Sequence, residues 1–174
     1  MLIISNNVKS IGMEFPKDAV IRINIAWIRS LEDLVKILTD NASHDIWVDY
    51  PTGRRKPPVP TLAWEDVVGL LPYYNNVKYF AFSNGEEAEA VKEIRSQVPS
   101  DIKLIPKIET VKGIKNLLAI VEAAQTDTIM FDAEDLYTDL SGDAMIFGLL
   151  SDYTRKLCAD NGITCLRLQG VIFA

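Results

Sequence analysis

Short apolar runs alternate along this chain with longer stretches whose apolar residues recur every three or four positions. The short runs predict strands at residues 2–5, 19–25, 45–49, 77–82, 104–109 and 128–131, and a last one at 164–173 interrupted by Gly170. The stretches between them predict helices at 31–39 behind a Ser30 cap, at 61–71, at 113–124, and at 143–160 with a stop at Asn161-Gly162. Asn84 followed by Glu87 reads as a capping box for a helix over 86–97. Residues 50–60 are a Pro-, Gly- and Arg-rich loop. Strands separated by helices imply a parallel sheet with right-handed crossovers. With about seven strands, against the roughly 200 residues a closed eight-stranded barrel usually needs, two folds stay open. One is a trimmed barrel, incompletely closed or completed by another chain. The other is an open doubly wound sheet, which is disfavoured because Ser5-Asn6-Asn7 supplies no glycine cradle after the first strand.

Charged residues interrupt the apolar pattern in one place above all. In the strand at 104–109, the period of two puts Lys107 and Glu109 on the same face. The strand at 128–131 delivers Asp132, Glu134 and Asp135 at its C-terminal end, the end at which parallel α/β folds bind ligands. Carboxylate oxygens beside an ammonium suit a hard divalent ion, Mg²⁺ or Mn²⁺, holding a small carboxylate or enolate. A structural ion pair between Lys107 and Glu109 is the competing explanation. The loop triplet Arg54-Arg55-Lys56, close in sequence to Asp49 and Gly53, is either a grip for a phosphate or carboxylate or a solvated loop.

These motifs resemble the catalytic barrel of pyruvate kinase. There, as in Lys107-Ile108-Glu109 and Asp135-Leu136, a Lys-Ile-Glu strand is followed one helix later by a strand ending in Asp-Leu. The stretch is similar, more weakly, to the citrate lyase β-subunit and 2-keto-acid aldolase branch of the same superfamily, which shares the Glu and the Asp-Leu but not the Lys. The resemblance implies a TIM-barrel-like α/β fold, shortened or incompletely closed, in one domain over residues 1–174. It implies that Glu109 and Asp135 hold Mg²⁺ or Mn²⁺ and that Lys107 is the acid/base partner beside the enolate. Arg22 and Asn24 match an Arg-x-Asn strand, and Asp49 matches the Asp before a basic loop. Arg22, Asn24, Asp49, Arg54 and Arg55 are therefore the expected substrate-binding residues. Three departures are plain: Glu134 stands where the family has Gly, and Ala26 and Trp27 replace its Ser and His. The family's lid domain is replaced by residues 50–60, so ATP-forming kinase activity is not expected.

Composition narrows the function classes. The chain has 174 residues, 48% of them hydrophobic and 24% charged, with a net charge of −6. Such a balance speaks against nucleic acid or an anionic membrane as partner. Neither a membrane-spanning run nor a signal-peptide layout is present, and a cytoplasmic location is expected. Cys158 and Cys165 lack metal-type spacing and read as reduced, buried thiols. Lyase or enolisation chemistry on a small anionic 2-oxo acid or enol phosphate is one expectation. A catalytically inactive relative serving as a metabolite-binding or protein-interaction module is another. An unpaired strand edge and the apolar residues Val171 to Phe173 predict a homo-oligomer, most simply a dimer.

Overall fold

The computed structural model describes residues 2–5, 16–53 and 57–167. Its strands and helices alternate as an α/β chain, and the described cross-strand pairings are all parallel. Contacts divide the chain into two compact units, one of Met1–Phe82 with Ser96–Leu104 and one of Ser83–Arg95 with Ile105–Ala174. Arg54, Arg55, Lys56 and the apolar C-terminal residues lie outside the described residues.

In the first unit, strands β1 (Leu2–Ser5), β2 (Ala19–Asn24), β3 (Asp45–Tyr50) and β4 (Val77–Phe82) pair in sequence order. Every residue of β2 is buried, as expected of a parallel strand covered on both faces. Helix α1 (Leu31–Asp40) follows β2, and the Ser30 hydroxyl accepts from Asp33 N at 3.1 Å, as its cap position predicts. The strand expected over 19–25 stops one residue sooner. There the Asn24 side chain accepts from Ala26 N at 3.0 Å and turns the chain into a short 3₁₀ helix, Ile25–Trp27. The helix expected over 61–71 is shorter, α2 (Trp64–Leu70), because no side chain caps it before Trp64 and Pro72 tightens its end into a 3₁₀ turn.

The unit boundary crosses α3 (Ala88–Gln97) and β5 (Lys103–Ile108). In the second unit, β5, β6 (Thr128–Phe131) and β7 (Thr164–Arg167) also pair in sequence order. A doubly wound sheet reverses its strand order at a switch point, and neither unit contains such a reversal among the described residues. The helix expected over 113–124 is two helices, α4 (Val111–Lys115) and α5 (Leu117–Ala124), broken at Asn116. Next come α6 (Ala133–Asp139) and α7 (Ala144–Asp160), capped by Asp132 and Asp143. The capping box at Asn84 does not form. Asn84 has φ 57°, in the left-handed region, and α3 begins only at Ala88, so Glu86 and Glu87 precede the helix instead of lining its face.

Candidate active site

Parallel strands deliver side chains in register at their C-terminal ends, and β5 and β6 do this in the second unit. Lys107 is opposite Met130 and Ile108 opposite Phe131, so Glu109 and Asp132 each follow the last paired residue of their strand. Asp132 N donates to Ile108 O at 3.0 Å, which extends the ladder to the strand ends. Asp132 then caps α6, its Oδ1 accepting from Asp135 N at 3.3 Å. A capping aspartate and the residue three further on lie side by side across the first turn. One local turn therefore presents Asp132 and Asp135 together. Glu109, Asp132 and Asp135 each offer a carboxylate oxygen, and these oxygens lie within 4.8 Å of one another.

Lys107 enters this cluster from inside β5. It is 5% exposed. Its Nζ donates to Ser83 Oγ at 3.1 Å and lies 3.5 Å from Glu109 Oε2 and 3.4 Å from Asp132 Oδ2. Glu109 Oε1 accepts from Asn84 N at 2.9 Å, a contact that the left-handed turn at Asn84 makes available. Glu109 Oε2 is buried and has no hydrogen-bond partner among the described residues. Burial raises the Glu109 carboxyl above its ordinary range, and the negative charges of Asp132 and Asp135 add to the rise. The Lys107 ammonium and the Asn84 amide oppose it.

The other expected site residues are in the first unit. Arg22 is hydrogen-bonded and ion-paired to Asp49, and the two are 6% and 0% exposed. Asn24 is also buried, with its side-chain oxygen committed to Ala26 N. Two of the residues expected to bind substrate thus bind each other. Glu134, at the position where the resembled family has glycine, is exposed and not among the clustered carboxylates. Two residues were outside the expected site set. Asp132 is one of the strand-end carboxylates, and the signal for it is its double position as strand end and helix cap. Ser83, the residue after β4, is brought to the cluster by its contact with Lys107.

No protein-family model matches the sequence, and no curated protein matches it. Solved structures do match. RipC from Yersinia pestis superposes with a TM-score of 0.63 at 20% identity, over 95% of this chain and 73% of RipC. Protein CitE from Mycobacterium tuberculosis, solved in complex with magnesium and acetoacetate, superposes with a TM-score of 0.59 at 16% identity, over 95% of this chain and 71% of CitE. The chain shares its fold with RipC and CitE. At these identities the likeness concerns the fold alone. Among the described residues, no helix is long and apolar enough to cross a membrane.

Cys158 and Cys165 are both free. Burial pushes the Cys158 thiol up to about 12, with the neighbouring Cys165 adding to the effect. Cys165 is half-buried, more open than the sequence suggested, and burial raises its thiol while Arg167 opposes the rise.

Proposed function

We propose that this protein binds a divalent cation, Mg²⁺ or Mn²⁺, at Glu109, Asp132 and Asp135, and uses it to hold a small 2-oxo acid. One observation carries the reading: three carboxylates converge within 4.8 Å, and the buried one presents an oxygen without a hydrogen-bond partner among the described residues. The separation suits oxygen ligands around a six-coordinate ion with bonds of about 2.0–2.6 Å. The fold shared with CitE, whose structure contains magnesium and acetoacetate, supports the same chemistry. It also favours the citrate lyase and 2-keto-acid aldolase side of the resemblance over the pyruvate kinase side.

Held by Glu109, Asp132 and Asp135, such an ion would supply Lewis-acid polarisation of the carbonyl of a 2-oxo acid. Lys107, beside the same carboxylates, would balance negative charge on an enolate as an ammonium and give its proton to the enolate carbon or oxygen. As the amine so formed, it would take a proton back in the reverse direction. Asn84 N, which donates to Glu109 Oε1, helps hold that carboxylate in place. Lyase or enolisation chemistry follows from these parts, and phosphoryl transfer to ADP does not. Titration calorimetry with Mn²⁺ tests the cation site directly. Wild type binds with water completing the shell, and Glu109→Gln loses that heat. Identical heats, or none, would remove the metal from the account.

A second reading is favoured by the Arg22–Asp49 pair, which engages the cation expected to grip the substrate's anionic end. In that reading the site binds a metabolite without turning it over. Proton exchange at C3 of pyruvate in D₂O, followed by NMR with Mn²⁺ or Mg²⁺ present, separates the two. Exchange above the protein-free rate marks an enolising enzyme, and binding without exchange marks a sensor or interaction module.

A further inference from the structure

Carboxylates crowded at two strand ends repel one another, and burial of Glu109 strengthens the repulsion. In this chain a cation built into the sequence already meets them. Lys107 Nζ lies within 3.5 Å of both Glu109 and Asp132, two of the three clustered carboxylates. Its placement is not that of a surface lysine swinging on a flexible stem. The side chain is 5% exposed, its backbone is fixed in β5 opposite Met130, and Ser83 Oγ accepts from its ammonium at 3.1 Å.

We propose that Lys107 is the resident cation of the carboxylate cluster and the residue that sets its affinity for a divalent ion. The inference rests on the metal-site reading above and adds what governs it. An ion bonded to Glu109 and Asp132 at about 2.0–2.6 Å must share these carboxylates with an ammonium a few ångströms away. Two cations so placed repel through a partly buried medium in which charge is weakly screened. Lys107 therefore does two things. Without metal it holds the strand-end carboxylates together, so the site does not depend on an ion to stay assembled. With metal it weakens binding, which keeps the ion exchangeable.

The test is a Mn²⁺ titration followed by electron paramagnetic resonance of the free ion, on wild type, Lys107→Met and Lys107→Gln. The Gln variant keeps a donor toward Ser83 without the charge. Both variants are expected to bind Mn²⁺ at least about tenfold more tightly than wild type. In metal-free buffer their melting temperatures fall below that of wild type, and Mn²⁺ raises them by more than it raises wild type. Adding Glu109→Gln to Lys107→Met abolishes the gain. A variant that folds only when Mn²⁺ is present meets the same expectation. Equal affinity in wild type and both Lys107 variants would overturn the inference and leave the metal site standing. Absence of Mn²⁺ binding in every protein would remove the metal site itself.

Discussion

Arg22 and Lys107 are both cations set on buried strands, 6% and 5% exposed, and both meet carboxylates, yet the two arrangements differ in count and in access. Arg22 meets Asp49, which is 0% exposed, so that pair is sealed in the first unit. Lys107 meets Glu109 and Asp132, two of a group of three carboxylates in the second unit whose outer members, Asp132 and Asp135, are only half-buried. A sealed pair works on the fold, because removing either partner leaves an uncompensated charge in the interior. A cluster with more carboxylates than nearby ammonium, whose outer members are half-buried, is what the proposed cation site rests on. The same residue types thus read as structure in one unit and as site in the other. Burial of the carboxylate tells them apart better than burial of the cation.

The sharpest way to break this comparison is to unpair Arg22. Asp49→Ala is expected to cost about 3–5 kcal/mol in chemical denaturation, while Arg22→Met with Asp49→Leu, which removes both charges, costs much less. A small loss in the single variant would mean that Arg22 is solvated and open to ligand, as the sequence suggested. Next in size is the effect on cation binding. Asp132→Asn and Asp135→Asn each lower Mn²⁺ affinity by about tenfold, roughly 1.4 kcal/mol, and Arg22→Met leaves it unchanged. Loss of binding in the Arg22 variant would erase the distinction between the two regions.

A smaller effect lies in the pH dependence. The Glu109 carboxyl is raised in the folded protein above its ordinary value of 4.5, chiefly by burial. A group raised on folding contributes stability that is fully present below its unfolded value and is lost as pH rises through the folded one. In metal-free buffer, the stability of wild type relative to Glu109→Gln therefore falls as pH is raised above about 4.5. A difference independent of pH would show that Lys107 and the Asn84 amide cancel the burial completely. The smallest effect is on thiol labelling. Both cysteines belong to the second unit, so labelling reports on that unit alone. With its thiol pushed up to about 12, Cys158 reacts with a disulfide reagent at pH 8 much more slowly than Cys165. Equal rates would show that α7 opens freely.

Much of this was legible in the amino-acid pattern. The strands at 77–82 and 128–131 begin and end where expected, because each is a mostly apolar run bounded by polar residues. The approach of Lys107 to Glu109 follows from a period of two within a single strand, a local relation. What stayed hidden was non-local or conformational. Pairing of Arg22 with Asp49 depends on how β2 and β3 are placed beside each other, with Asn24 opposite Asp49. Asn84 and Glu87 carry the letters of a helix start, but a single left-handed residue diverts the chain and the letters lose their meaning. The break at Asn116 is similar: its side chain donates to Glu86 O at 2.8 Å, and no helical period announces that partner. Asp132 was one of several strand-end carboxylates, and only the start of α6 immediately after β6 selects it.

The left-handed turn at Asn84 also predicts which substitutions a mutational scan would tolerate there. Position 84 must satisfy two demands at once, a positive φ and a backbone N–H that reaches Glu109. Glycine meets both, and aspartate comes near, since short polar side chains tolerate this conformation. Valine and isoleucine fail the first demand, and proline fails both. Variation at residue 84 is thus expected to be confined to a few amino acids, because the contact that positions Glu109 comes from its main-chain N–H. Selection there would act on the path of the main chain, and a survey scoring side-chain chemistry alone would pass over one of the groups that positions Glu109.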